Sequence, residues 1–380
     1  MATLMKASHQ WATRPADERF TSLIALNDHV QHEHQFSRAK CVSSRAVKAC
    51  PAILNETGTP YDTAGLQVLG PNGDAVNLTH WSFSQLAQRA GAPAGYLRDL
   101  PSPLAADCVN FGLQTRNVED LGVLLYKNGG DPFLRAVTGP NYGRVWNSTI
   151  TQALVNRFGD GITGDFRVPG EFGKQVAVTK ANTTLYASDR DMFVFLADET
   201  HRIEIPNRRN GKKGSLARGF FIWNSEVGST SLGIAMFLFD YVCGNRIVWG
   251  AEQIAELRVR HTVSAPARWI AQCIPAIERV SQSATEGVVK TITQAQLTKI
   301  ASGTDELERE KAVSKFLAER FSNSQVSFIK AAHMAEEERP IESIWDAVTG
   351  ITAYAKTVEY QDERVKLERE AGKLLQKVGK

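Results

Sequence analysis

The 380-residue chain is 43% hydrophobic and 22% charged with a net charge of +3, which suits a soluble globular protein with a sizeable core and excludes a disordered or fibrous one. So small a net charge means that any nucleic-acid contact must come from locally clustered cations. Five cysteines (Cys41, Cys50, Cys108, Cys243, Cys273) with no C-x-x-C pair exclude a disulfide framework or zinc ribbon and fit a reducing cytoplasm.

Residues 1–60 read as an accessory arm: one amphipathic helix at Phe20–Val30, then polar and basic sequence through Lys48–Pro51. The amino terminus lacks the apolar stretch of a signal peptide. In residues 61–120, Leu66–Thr79 reads as a β-hairpin turning at Pro71–Asp74. Ser82–Thr115 reads as a small helical subdomain broken at Gly91–Pro93, too poor in base-reading side chains for a helix-turn-helix. Residues 121–285 are expected to form an α+β core. Its strands fall at Gly122–Lys127, Phe133–Thr138, Gln175–Val178, Thr184–Ala187 and Met192–Ala197, with a helix at Ser148–Phe158.

Arg218–Gly250 reads as a β-meander: two aromatic-rich runs joined by a turn at Glu226–Ser231, then a third run ending at Trp249. The longest apolar run, Leu232–Cys243, is too short to cross a membrane and contains Asp240. A helix at Pro266–Gln282 follows, and residues 286–380 read as almost wholly helical. The last helix, Val358–Lys377, is so charged that its sparse apolar stripe suits projection or pairing with another copy. The fold class is therefore α+β, a central antiparallel sheet crossed by a long packed helix, with a mainly helical carboxy-terminal region.

Motif-like spacings mostly lack the context their chemistry needs. Gly159, Gly161 and Gly164 spell G-x-G-x-x-G but follow a helix instead of a strand, and no P-loop is present. His29, His32 and His34 with Glu33 resemble a weak metal cluster, although a solvated helix end is the plainer reading. Cys243, Asn245 and His261 invite comparison with a thiol nucleophile, its orienting amide and its base, yet Cys243 ends an apolar run where thiols are inert. Asp189, Asp191, Asp198, Glu199 and Glu204 crowd a strand-rich region, as a metal-dependent nuclease would need, without the usual lysine context. No cofactor and no metal site are expected.

Charge and stacking remain. In RRNGKKGSLAR, Arg208, Arg209, Lys212, Lys213 and Arg218 occur without an intervening carboxylate and suit phosphate contacts. Tyr142 and Arg144 in TGPNYGRVWN, with Trp223, Phe220 or Trp249, offer aromatic faces for bases, and Arg258 and Arg260 in RVRHT add cations. Alternation limits this reading, because Phe221 and Trp223 share one sheet face and Phe220 takes the other.

The spacing of N-S-E-V-G, S-L, V-C-G-N-R and R-H-T resembles the phage and plasmid-like family called domain of unknown function 932. Leu86–Leu97 is similar to that family's amino-terminal L-A, G-x-P and Y-L element, and Trp345–Tyr354 to its W-D-A-V-T-G-I-T-A-Y element. The resemblance covers roughly residues 60–360; Arg246 stands where that family usually has glycine. It implies a mobile-element setting in a bacterial host cytoplasm. The β-β-β-α order over residues 218–282 also resembles the core of single-strand annealing proteins of the RecT, Redβ and Erf group. The leading expectation is a non-enzymatic protein that binds single-stranded DNA and assists recombination, replication or annealing, as a homo-oligomeric ring or filament. Two other classes stay open: a counter-defence or host-takeover factor that binds a host protein through the helical carboxy-terminal region, and a cryptic metal- or cysteine-dependent hydrolase.

Overall fold

A computed structural model describes residues 15–51, 66–70, 73–168, 177–181, 183–208, 212–240, 246–247, 256–282, 286–358 and 361–378. After the short strand β1 (Arg19–Phe20), the helix Leu23–Gln35 leads into β2 (Ser37–Ser43) and β3 (Lys48–Pro51). The hairpin β4 (Leu66–Leu69) and β5 (Ala75–Leu78), the helices His80–Ala90, Ala94–Asp99 and Ser102–Thr115, and the pair β6 (Asp120–Tyr126) and β7 (Phe133–Thr138) follow. These strands form one six-stranded sheet in the order β2-β6-β7-β5-β4-β3, antiparallel except for β5 beside β7.

This sheet changes two expectations. The stretch through Lys48–Pro51 is not an arm, because β2 pairs along its length with β6 and β3 pairs with β4. The runs at 122–127 and 133–138 belong to this smaller sheet and not to the core expected over residues 121–285, since β6 pairs with β2 and β7 with β5, both earlier in the sequence. Such pairings are non-local, and periodicity carries no information about them.

After the helix Asn147–Phe158, the second sheet takes β8 (Phe166–Arg167), β9 (Leu185–Ala187), β10 (Met192–Asp198), β11 (Ile203–Arg208), β12 (Lys212–Asn224), β13 (Leu232–Asp240), β14 (Arg246–Ile247) and β15 (Glu256–Val259). Its spine is β1-β9-β10-β12-β13-β14, with β11 beside β12, β15 beside β13 and β8 beside β10, all antiparallel. Of the expected meander, Arg218–Gly250, β12 and β13 pair as the first two runs and the short β14 pairs with β13 in the third, the rest of which lies outside the described residues; β15, beyond those bounds, also pairs with β13. Ala265–Gln282 follows as the packed helix, interrupted by one π-helical stretch at Trp269–Cys273.

Alternation along the strands sorts the sheet into two faces. Val194, Leu196, Phe220, Ile222, Leu232 and Ile234 meet the helices 23–35, 147–158 and 265–282 in one core. Farther along the same face, Leu216 and Leu238 join Ile203, Ile205 and the carboxy-terminal helices in a second core. The final helix, Gln361–Val378, does not project: Leu367, Ala371, Leu374 and Leu375 are buried in that core, so its sparse stripe is used within the chain. The opposite face carries Tyr186, Phe193, Phe195, Phe221 and Phe237, with Trp223 at its margin. Two glycines make room for the rings, since a Cβ on Gly233 would lie 1.9 Å from Trp223 and one on Gly219 2.3 Å from Phe237.

Between the two cores, on the helix-covered face, Arg218 donates to Asp198 at 2.8 Å. Asp198 also accepts the Thr200 and His201 backbone N–H groups, so the buried charge is well solvated by protein. Removing one member of such a pair strands the other in a dry environment. Asp198→Ala is expected to cost about 3–5 kcal/mol in urea unfolding, whereas replacing both members with apolar residues is expected to restore most of that loss.

Candidate functional site

The N-S-E-V-G segment forms the turn between β12 and β13, and it is where the two sheets meet. Asn224 Nδ2 donates to the Val145 carbonyl (2.8 Å) and to Asn147 Oδ1 (2.7 Å). Ser225 Oγ donates to the Arg190 carbonyl (2.7 Å), and its own carbonyl accepts the Tyr142 hydroxyl (2.8 Å). Val227 is fully buried with Leu124 and Ala136 of the smaller sheet, flanked by Trp81 and Trp146. Its carbonyl accepts both Trp81 Nε1 (3.0 Å) and Gln85 Nε2 (2.8 Å). Gly228 closes the turn at φ +84°, a left-handed conformation that glycine adopts without strain.

Glu226 is the charged member, with its side chain 3% exposed. Its Oε1 accepts the Asn147 backbone N–H at 2.8 Å, where a carboxylate sits favourably at the start of the helix 147–158. Its Oε2 lies 3.3 Å from Arg135 Nη1, and its backbone carbonyl accepts Arg144 Nε at 2.7 Å. Arg135, on β7, also reaches Glu33 on the first helix at 3.9 Å. Two carboxylates therefore share one buried guanidinium, and each charged group comes from a different element.

Burial, opposed by Arg135 and reinforced by Glu226 and Asp189, pushes the Glu33 carboxyl up to about 7. A carboxyl raised in the folded chain binds its proton more tightly there than in the unfolded chain. Its stabilisation is complete below about pH 4.5 and is lost as pH rises through about 7. Thermal stability of the native chain is expected to fall across that window, by on the order of 3 kcal/mol, and Glu33→Gln to flatten the profile. Melting curves from pH 4 to 8.5 check this; an equally steep fall in the variant would remove Glu33 as the cause.

Arginine–aromatic pairs surround the turn. Arg190 lies 5.9 Å over Trp81, Arg144 lies 5.5 Å over Tyr142 and 5.6 Å over Trp146, and Arg258 lies 5.6 Å over Trp223. Tyr142 stacks on His261 (4.8 Å, 24°), joining the loop after β7 to the R-H-T segment. His261 Nδ1 donates to the Gly143 carbonyl (3.1 Å), while the Gly143 N–H donates to the His261 carbonyl (3.1 Å). Gly143 is required there, because a Cβ would fall 1.8 Å from the Thr262 carbonyl oxygen. Burial, aided by Arg144 and opposed by the Gly143 hydrogen bond, lowers the His261 pKa and keeps the ring neutral.

The residues expected to contact nucleic acid divide into separate groups. Tyr142, Arg144, Trp223, Arg258 and Arg260 gather at the turn end of the sheet, with Arg258 and Arg260 exposed and Tyr142, Arg144 and Trp223 half-buried. Arg208 and Lys212 pair in register at the other end of β12. Lys213 is exposed there and bonded to Glu204 at 2.7 Å. Arg218 leaves the basic set: it is buried against Asp198, because it shares the helix-covered face with Phe220. Arg209, Cys243, Asn245 and Trp249 lie outside the described residues.

The other motif-like groups resolve into packing and pairing. His34 is not simply solvated, since it stacks on Trp146 (4.0 Å) and bonds Ser148 Oγ (2.7 Å), while His29 packs on Phe20 and His32 on Phe36. Glu199 pairs with Arg202, and Asp191 accepts from Ser188. Among the described residues no group of three or more His, Cys, Asp or Glu side chains is placed to hold a metal ion. Gly159 and Gly161 have φ near +65° and +70° and shape the turn after the helix 147–158. Sequence reasoning missed Glu226, Arg135 and Arg190 and took Glu33 only as part of a histidine cluster; an acid in the turn between two aromatic-rich strands was the one available signal.

A family model described as a domain of unknown function, DUF932, matches residues 174–374, which include β10–β15 and most of the carboxy-terminal helices. No curated protein and no solved structure matches the chain. Among the described residues no helix is long and apolar enough to cross a membrane.

Proposed function

From a chain that belongs to the family of the domain of unknown function DUF932, we propose a non-enzymatic protein of a phage or other mobile element that binds single-stranded DNA and assists annealing, recombination or replication. The observation that carries this reading is the set of arginine–aromatic pairs around the Asn224–Ser229 turn. Such pairs supply the two elements of sequence-tolerant single-strand binding, cations for phosphates and flat faces for bases. The roles divide by exposure. Arg144 and Tyr142 are tied to the turn by hydrogen bonds and hold its shape, while Arg258 and Arg260 present charge to solvent and Trp223 offers the adjoining ring. Arg208, Lys212 and Lys213, on paired strands at the far end of β12, add a second basic stretch of the sequence to this reading.

Labelled oligonucleotides in a fluorescence-anisotropy salt series test this reading. Single strands are expected to bind more tightly than duplex and to release steeply as salt rises. Arg258→Ala with Arg260→Ala is expected to weaken binding about tenfold or more and to reduce the salt slope by roughly two counterions. Absence of binding at micromolar protein and low salt would overturn the proposal.

A second reading, docking of a host protein, is favoured by exposed apolar side chains on the carboxy-terminal helices. Leu307 is 58% and Phe328 56% exposed, and Phe328 stacks outward on Tyr354. An apolar contact of that kind would persist in salt that releases DNA and would be unaffected by loss of Arg258 and Arg260.

A further inference from the structure

A hollow of about 530 Å³ lies on the small-sheet half of the molecule, under the helices that follow β5. Its wall is mainly apolar, formed by Leu78, Phe83, Leu97, Leu100, Ala105 and Phe133. Among the described residues that line it Arg98 is the charged one, beside the uncharged Asn77, Thr79 and Ser102. Arg98 lies 4.7 Å over the Phe83 ring and donates through Nη2 to the His80 carbonyl (3.0 Å) and Ser84 Oγ (2.7 Å). Both hydrogen bonds use Nη2, which leaves Nη1 and Nε as the donors an incoming anion would meet. His80 lines the hollow beside it; burial, then Arg98 and Arg190, lower its pKa, with Asp189 opposing. The imidazole is therefore neutral at pH 7 and available as a hydrogen-bond partner. Among the described residues no carboxylate lines the hollow.

We propose that this hollow binds a small amphiphilic anion, an aliphatic or aromatic body carrying one carboxylate, with the body against the leucine and phenylalanine wall and the carboxylate on Arg98 and His80. The size falls in the ordinary range of small-ligand pockets, and an apolar wall with a few convergent polar groups is their usual construction. Charge complementarity sets the sign: a planar guanidinium beside a neutral histidine, with no lining acid among the described residues, favours a carboxylate over a neutral or cationic head. An aliphatic wall of several leucines favours a hydrocarbon body. The site is distinct from the arginine–aromatic ring around the Asn224–Ser229 turn and does not depend on nucleic-acid binding.

The full chain is titrated with 1-anilinonaphthalene-8-sulfonate, followed by fluorescence, and the probe is then displaced with octanoate or octanol. Octanoate is expected to displace the probe at a concentration about tenfold or more below that of octanol. Phe133→Glu places an acid at the half-exposed rim, and Arg98→Gln removes the cation; each is expected to weaken octanoate displacement about tenfold. Circular dichroism reports folding of both variants, and if Arg98→Gln loses structure, Phe133→Glu decides alone. Equal displacement by octanoate and octanol, or octanoate displacement unchanged in folded Phe133→Glu, would overturn the proposal.

Discussion

Glu226 is the constraint around which the two sheets are arranged. A carboxylate buried to 3% exposure is tolerated only when its charge is matched and its lone pairs are filled, and each of its partners comes from elsewhere in the chain. The start of the helix 147–158 supplies a backbone donor, β7 supplies Arg135, and the loop after β7 supplies Arg144 to the adjoining carbonyl. Satisfying one side chain therefore fixes where the smaller sheet lies against the larger. Val227 adds apolar insertion to this polar specification, since it is buried against Leu124 and Ala136. Electrostatics sets the register of the joint, and hydrophobic burial holds it closed.

Much of the fold was legible because it rests on local periodicity. The hairpin at 66–78, the helices through 115, the first two strands of the meander and the helical carboxy-terminal region with its last helix fall within a few residues of their expected positions. Alternation also sorted Phe220 from Phe221 and Trp223 correctly, placing the first in the helix-covered core and the others on the aromatic face. The same rule, extended two residues back from Phe220, would have turned Arg218 inward. Grouping it with a basic segment by composition concealed that. The allocation of β6 and β7 to the smaller sheet was not legible, because it depends on pairings with β2 and β5 that no local pattern encodes.

The site was half legible for a related reason. Tyr142, Arg144, Trp223, Arg258 and Arg260 were recognisable as aromatic or basic residues in turns and strand ends, and the fold gathers them at one end of the sheet. What joins them was not. Glu33, Arg135 and Glu226 are separated widely in sequence, and an isolated acid or base carries no mark of a buried partner. The R-H-T segment shows the same limit: His261 suggests a base, yet its geometry is that of a loop clasp, with Nδ1 on Gly143 and its ring on Tyr142.

The Asp198–Arg218 pair divides one sheet face into two apolar cores that share strands but few side chains. Cohesion along β12 and β13 therefore passes through a polar step, where the grip of neighbouring hydrophobic groups is interrupted. Sub-global opening, where it occurs, follows the borders of separately packed cores, and the border here runs between the carboxy-terminal helices with the far end of β12 and the turn end with the smaller sheet. The two basic stretches sit on opposite sides of that border. A single sheet thus spans two separately packed cores, and the buried Asp198–Arg218 pair is the step that joins them.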